Sequence, residues 1–392
     1  MPFLTPQRLI MLIFFLQPIA FGSWLPRIPE VQAGLGLGPA ALALALLGMP
    51  LGTLITLPFA GPLVGRIGAR TTIIVGFVYY ALAASLPAFA PDPITLFIAL
   101  MLAGSAISFL ELGLNVGADG IEKSSGVLIM TKSHGFWSVG IMVGSLIGSG
   151  MAGLGIEAKW AILGAALVTM PMGMALPHIA SDAPAATGKQ RSSWSLPSPA
   201  LIGVCLFVFG ITMTEGAMAD WSAIFLRDAL AAEGGLVGLG YSIFAFMVAA
   251  GRFGGDALKA RLGAIATARL CGAMAVIGAA MLYFAPSVTI ALIGFGTIGF
   301  GVSVGFPLAV TAAAGIGDRA ASANVAVLSF VALTGFLIGP PMIGFVAEHS
   351  DIRIGIACVV PFLLVSLLLA GHLRPRTAGM RTEIEAENPG VA

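Results

Sequence analysis

Long apolar runs separated by short polar breaks set the pattern of this chain. They fall near 9–28, 40–64, 71–90, 94–118, 127–153, 159–179, 200–224, 236–256, 265–285, 288–313, 321–346 and 352–372. A run of roughly 17 to 25 mostly apolar residues is enough to carry a helix across a bilayer. The pattern therefore predicts twelve membrane-spanning helices. A membrane β-barrel would need short segments that alternate between apolar and polar positions, and runs such as IALIGFGTIGFGVSVGF do not alternate. The expected fold is an all-α polytopic membrane protein.

Composition agrees with this reading. Of 392 residues, 58% are hydrophobic and only 9% are charged, which removes the soluble globular classes. Orientation in a membrane follows Lys and Arg in the short loops rather than net charge. With the N-terminus inside, all of the 19 Lys and Arg except Arg27, Lys159, Arg227 and Arg353 fall on the cytoplasmic side or its helix ends, so both termini are expected in the cytoplasm of a cell bounded by this inner membrane. The first run, LIMLIFFLQPIAFGS, has the look of a signal peptide, but eleven further spans favour a retained helix. Cys205, Cys271 and Cys358 lie in apolar runs without metal-ligand spacing and are read as small core residues, with no metal or cofactor expected.

The most polar internal stretch, SDAPAATGKQRSSWSLPSP at 181–199, follows the sixth span and has the composition of a linker. It divides the chain into a six-helix bundle at 1–180, the linker, a second six-helix bundle at 200–374 and a tail at 375–392. The halves also echo each other: Arg66 and Gly68 in GRIGAR recur as Arg261 and Gly263, and Gly140 and Gly144 recur as Gly335 and Gly339, each 195 positions later. Two bundles related by an internal repeat are a common construction of membrane transporters.

The segment GPLVGRIGART (61–71), after the second span, resembles the cytoplasmic signature of the major facilitator superfamily. With twelve spans and a central linker, the resemblance covers essentially the whole chain. It implies a cytoplasmic gate in which Arg66, Arg70 and Arg261 supply basic side chains. Gly65 stands where that signature usually carries aspartate, whereas GRFGGDALKARLG in the second half keeps a carboxylate, with Arg252 and Asp256 four apart on one helical face as an expected latch. Within the superfamily, SWLPRIPEVQAGLGLG, SHGFWSVG, EGAMADWSAIFLRD and GFLIGPPMIGFVAE look like the YbjJ-type branch, related to fucose:proton symporters.

Candidate chemistry lies in the polar residues inside the spans. Gly104, Ser108, Glu111, Asn115, Asp119 and Glu122 fall within an arc of about 80° on a helix, a polar stripe that is costly to face toward lipid. Asp119 and Glu122 belong to the aqueous end of that helix. Glu111 sits deep in the span, where burial disfavours the ionised form of a carboxyl and suits it to loading and releasing a proton. The alternative is a carboxyl merely bonded to neighbouring helices. The resemblance implies a proton-coupling glutamate in an E-x-x-x-N context, which Glu111 and Asn115 match; the first-span aspartate of those symporters has no counterpart in FGSWLPRIP.

In TEGAMADWS, Glu215 and Asp220 lie about 140° apart on a regular helix, so both can face a cavity only if the helix breaks. Glu215 is placed at the cavity as a second proton-coupling candidate. Asp220 is either a partner of Arg27 or Arg227 near the outer surface or part of a gate or binding site. His134 is a further protonatable candidate near the cytoplasmic end. Gln17, Phe21 and Trp24 form one face of the first span, while Trp137, Ser138 and Asn324 supply further aromatic and hydrogen-bonding groups, all candidates for contact with a small solute as well as for packing.

These features favour a transporter of a small organic solute, sugar-like or drug-like, acting as a monomer with protons and lipid as its other partners and without nucleic acid. An intramembrane enzyme is the rival class: GIGD at 315–318 matches a G-x-G-D pattern, but no Tyr-Asp pair accompanies it and Asp318 falls in a loop. There is no H-E-x-x-H and no P-loop, and nothing resembles a selectivity filter or a signalling domain, as a channel or sensor would need.

Overall fold

A computed structural model describes residues 5–175 and 197–374. Most of the expected linker, with Lys189 and Arg191, and the whole expected tail, with Arg376 and Arg381, lie outside the described residues.

The described chain is helical. The first half comprises α1 (Pro6–Leu16), α2 (Ile19–Trp24), α3 (Ile28–Gly34), α4 (Pro39–Leu46), α5 (Gly48–Ser85), α6 (Pro93–Ser125), α7 (Met130–Gly153) and α8 (Ala158–Ala175). The second comprises α9 (Pro199–Leu230), α10 (Leu239–Tyr283), α11 (Val288–Val302), α12 (Gly305–Ala314), α13 (Ala321–His349), α14 (Ile352–Ala357) and α15 (Val360–Leu369). Local sequence sets the ends: Asp92 accepts from the backbone N–H groups of Ile94 and Thr95 to start α6, Ser198 does the same for Leu201 in α9, and Gly126 closes α6 at φ 69°. Large apolar side chains such as Phe59, Leu82 and Leu368 point outward, as suits a lipid-facing surface.

Among the described residues, ten helical stretches are long and apolar enough to cross a membrane. Two of them, Pro39–Phe89 and Gly234–Tyr283, are 51 and 50 residues long, more than twice what one crossing needs. Each contains one break, at Gly68 (φ 81°, ψ 160°) and Gly263 (φ 77°, ψ 165°), a backbone region that is essentially glycine-only. The chain reverses at these breaks. Before Gly68, Gly48 packs on Phe97 and Gly52 on Met101, with both numbers rising; after it, Gly76 packs on Leu110 and Thr72 on Gly113, in the opposite sense. Around Gly263 the same happens, with Phe244 on Gly299 and Gly251 on Ser303 before the break, and Cys271 on Gly301 and Gly278 on Gly294 after it.

Corresponding packing recurs between the halves. A side chain at Gly104 would meet the Met49 carbonyl, and one at Gly299 the Phe244 carbonyl, both positions shifted by 195. Gly140 and Gly144 lie against the carbonyls of Phe15 and Ile19, and Gly335 and Gly339 against those of Phe209 and Met213. Small residues allow this close helix approach.

The ends of the molecule differ. At the end carrying Arg27, the halves bond to each other: Arg227 Nη1 donates to the Pro29 carbonyl at 2.9 Å and Nη2 to Gln32 Oε1 at 2.7 Å. Nearby, Ser145 and Ser242 share a hydrogen bond of 2.8 Å, and the Ala40 N–H donates to Glu348. Each of the four bases that break the charge bias is paired here. Arg27 meets Glu30 and the Ile156 carbonyl, Lys159 meets Glu157, Arg227 meets Asp228, and Arg353 caps carbonyls of Leu282, Tyr283 and Ala229.

Candidate functional site

Two cavities lie between the halves and meet at four shared side chains, Trp137, Glu215, Arg252 and Phe336. The smaller, of about 230 Å³, is nearer the Arg27 end; Phe21, Trp24, Met49, Trp137 and Ser138 line it from the first half, and Glu215, Asp220, Tyr241, Phe244 and Phe336 from the second. The larger, of about 630 Å³, extends to Met130, Asp256, Lys259 and Thr311 near the Gly263 break and includes Glu111 and His134.

Helix geometry brings these groups together. On α10, Tyr241, Phe244, Ala245, Val248 and Arg252 follow a spacing of three, four and seven residues and so share one face. That spacing in the sequence marks Tyr241 and Phe244, with Lys259 a further seven residues beyond Arg252, as lining groups in addition to those expected, whereas Phe336 comes from α13 and no spacing on α10 announces it. On α7, Trp137 and Ser138 reach the site while Gln17 holds the indole: Trp137 Nε1 donates to Gln17 Oε1 at 2.7 Å. His134 stacks edge-on to Phe14 with ring centroids 5.3 Å apart.

Arg252 is the centre of the polar network. Its Nη1 donates to Ser138 Oγ at 2.8 Å and its Nη2 stands 3.6 Å from Glu215 Oε1, an ion pair without a hydrogen bond. Glu215 Oε1 and Arg252 Nε have no hydrogen-bond partner. A carboxylate withdrawn this far from bulk water draws the nearest cation to it.

Several expectations need correction. Arg252 does not latch to Asp256, which is exposed; it turns inward to the buried charge of Glu215 instead. Glu215 and Asp220 both line the smaller cavity although α9 runs unbroken, because the cavity extends along that helix and flanks it. Asp220 pairs with neither Arg27 nor Arg227, whose guanidinium groups are held by Glu30 and Asp228 and by backbone carbonyls. Arg27 is 2% exposed and, among the described residues, bonds within the first half, so the charged link between halves at this end is that of Arg227, beside the Ser145–Ser242 and Ala40–Glu348 hydrogen bonds. Asn324 lines neither cavity: its Nδ2 donates to Asp318 at 2.8 Å and its Oδ1 accepts from Arg319, which closes a loop. Gln17 is 1% exposed and spent on Trp137.

The remaining candidates divide plainly. Asn115 is half-buried and lines neither cavity, Asp119 pairs with Lys123 on the surface, and Glu122 accepts from the Ile129 and Met130 N–H groups. Arg66 and Arg261 are exposed and Arg70 half-buried, all beside the glycine breaks. Among the described residues no cluster of three or more His, Cys, Asp or Glu is placed to hold a metal ion. Outside the spans, Ser198 and Asn324 hydroxyl and amide donors hold Asp318 below the usual carboxylate range, and bonds from Thr95 and Ile94 do the same for Asp92.

Residues 10–324 match the Major Facilitator Superfamily. The chain belongs to the major facilitator superfamily. An uncharacterized MFS-type transporter of Yersinia pestis is 31% identical over 376 residues, covering 93% of this chain and 94% of its own. The membrane protein MosC of Rhizobium meliloti is 28% identical and covers 86% of this chain, 82% of its own. Among solved structures, a D323A mutant of the nucleoside transporter NupG superposes with a TM-score of 0.77 at 13% identity over 94% of this chain and all of that one. A bacterial homolog of the human lysosomal transporter Spinster, solved inward-facing and unoccupied, gives 0.72 at 15% identity over 94% and 97%. This superfamily member is thus a multi-pass membrane protein of transmembrane transport, all-helical in fold.

Proposed function

We propose that this protein is a secondary active transporter that moves a small organic solute across the bacterial inner membrane by alternating access, coupled to protons. The observation that carries the reading is a cavity walled by both halves, bonded shut at the Arg27 end and extended toward the Gly263 end, with buried carboxylates inside it. Opening the other side requires the Arg227 bonds to break while the halves rock about the central groups.

The two chain reversals support twelve crossings, and the shared packing offsets support two six-helix bundles, 1–180 and 200–374, joined by 181–199 and followed by a tail at 375–392. The reading puts both termini in the cytoplasm, and the pairing of the four basic residues at the opposite end with carboxylates and helix-end carbonyls supports it, since it leaves the others to set orientation. The cavity then faces inward. The resemblance of SWLPRIPEVQAGLGLG, SHGFWSVG, EGAMADWSAIFLRD and GFLIGPPMIGFVAE supports assignment to the YbjJ-type branch related to fucose:proton symporters. It acts as a monomer.

Glu111 is the principal proton carrier, with Glu215 and His134 on the same larger cavity as relay groups. Protonation biases the inward and outward states only through a difference in proton affinity between them. The test is solute flux into proteoliposomes under an imposed proton gradient, across sugars, amino acids, nucleosides and amines. Gradient-driven flux that Glu111→Gln abolishes is expected; flux unchanged in that variant removes the coupling role, and absence of gradient-driven flux for every solute removes the transporter reading.

A further inference from the structure

The smaller cavity holds two carboxylates and one guanidinium. Arg252 stands beside Glu215 at 3.6 Å and donates its other nitrogen to Ser138, so its charge is already engaged. Asp220, one and a half turns along α9, lines the same cavity with no hydrogen-bond donor and no counter-charge among the described residues. The larger cavity does not redress this, since it adds Glu111 and Asp256 against Lys259 and a histidine. The central space therefore carries more carboxylates than cations.

Around Asp220 the walls are aromatic: Phe21, Trp24, Tyr241 and Phe244 line the same space, with Trp137 and Phe336 at its floor. Ring faces attract cations, most strongly where water is excluded. Asp220 is half-buried, with its carboxyl open to this space; a carboxylate partly withdrawn from water without a partner is costly, and an anionic solute would raise that cost. A neutral polyol would supply hydrogen bonds but no charge. The cavity volume of about 230 Å³ lies below the roughly 300–1,000 Å³ common for drug-sized ligands, which favours a compact solute.

We propose that the smaller cavity binds a compact organic cation, a protonated amine on a small ring or apolar body, with Asp220 as its counter-charge and the aromatic walls enclosing it. This rests on the transporter reading for its physiological use, but the binding site stands on the cavity alone. Arg252 and Glu215 form the floor against which the apolar body ends. Entry of the cation gives the unpaired, half-buried carboxylate of Asp220 a charge-assisted hydrogen bond.

Three probes built on one phenylethyl body decide it: 2-phenylethylamine, 2-phenylethanol and the slightly larger 3-phenylpropionate, titrated calorimetrically into the purified full-length protein in detergent. The amine is expected to bind at least tenfold more tightly than the alcohol, with the acid weakest. Asp220→Asn lowers the amine to the affinity of the alcohol, whereas Asp220→Glu, which keeps the charge, retains the preference. Equal binding of amine and alcohol, binding by none of the three, or an amine preference that survives Asp220→Asn overturns the proposal. If Asp220→Asn does not fold, the wild-type ratio of amine to alcohol decides alone. Reconstitution separates the two readings. Selective amine binding without gradient-driven uptake retires transport and leaves the site, while gradient-driven uptake of a neutral solute untouched by Asp220→Asn leaves transport and removes the cation site.

Discussion

Arg252 of α10 and Glu215 of α9 face each other at 3.6 Å on the partition between the two cavities, 23% and 14% exposed. Neither charge has another ionic partner among the described residues, and breaking a buried pair by removing one member costs far more than removing both. Arg252→Met is therefore expected to lower stability by about 1–3 kcal/mol, discounted from the fully buried case for the water that reaches the pair. Arg252→Met with Glu215→Gln should recover part of that loss. A double-mutant cycle of thermal unfolding in detergent checks it, and strictly additive losses would show that the two charges do not interact.

Gly68 and Gly263 turn the chain through conformations that a side chain strains, with no atoms within 4 Å to crowd a Cβ. Alanine at either site should cost about 1–3 kcal/mol through backbone strain alone. Gly61→Ala is the control: that glycine lies within α5 at an ordinary helical φ, also with open space around it, and the change should be neutral or slightly stabilising. Melting temperatures of the three variants test this, and equal shifts for all three would refute the conformational cause.

Arg227 carries two bonds from the second half to the first, to the Pro29 carbonyl and Gln32. Hydrogen bonds to a charged group contribute about 1.5–3 kcal/mol, enough to shift a balanced two-state equilibrium more than tenfold. Arg227→Ala should therefore populate a state open at the Arg27 end. Spin labels at Ala33→Cys and Glu233→Cys, both exposed positions beside this contact, should report a longer-distance population in the variant. An unchanged distance distribution would mean that other contacts hold this end closed.

Much of this was legible in the sequence because hydropathy reports directly on what lipid tolerates. The apolar runs and the inward faces of Glu111, Glu215 and Trp24 follow from helical periodicity, and the glycine pairs from the 195-residue offset between the halves. What periodicity does not encode is choice of partner. Arg252 has Asp256 four residues away on its own helix, yet its guanidinium is drawn across to Glu215 because the buried charge needs it more. Asn324 and Gln17 look like solute contacts by type but are consumed by Asp318, six residues away across a loop, and by Trp137, 120 residues away. The helical wheel separates Glu215 from Asp220 by about 140°, yet Gly216 and Ala219 between them also border the cavity, so more than one face of α9 lines it.

Asp318 offers a pH test outside the membrane-spanning segments. Ser198 at the start of α9 and Asn324 in α13 both bond its carboxylate, so the loop before α13 is tied to the first turn of α9. These bonds favour the ionised form and hold its pKa below the ordinary value, while the unfolded chain returns it to about 3.9. A depressed folded value means that the unfolded state binds protons first as pH falls. The stabilisation is therefore fully present above the unfolded value, declines as pH drops below it, and is gone once the pH passes through the folded value. The melting temperature of wild type should exceed that of Asp318→Ala at neutral pH, and the gap should narrow only below about pH 4. A gap that is constant down to pH 3, or one that closes already between pH 7 and 6, would show that ionisation of Asp318 is not what ties the loop.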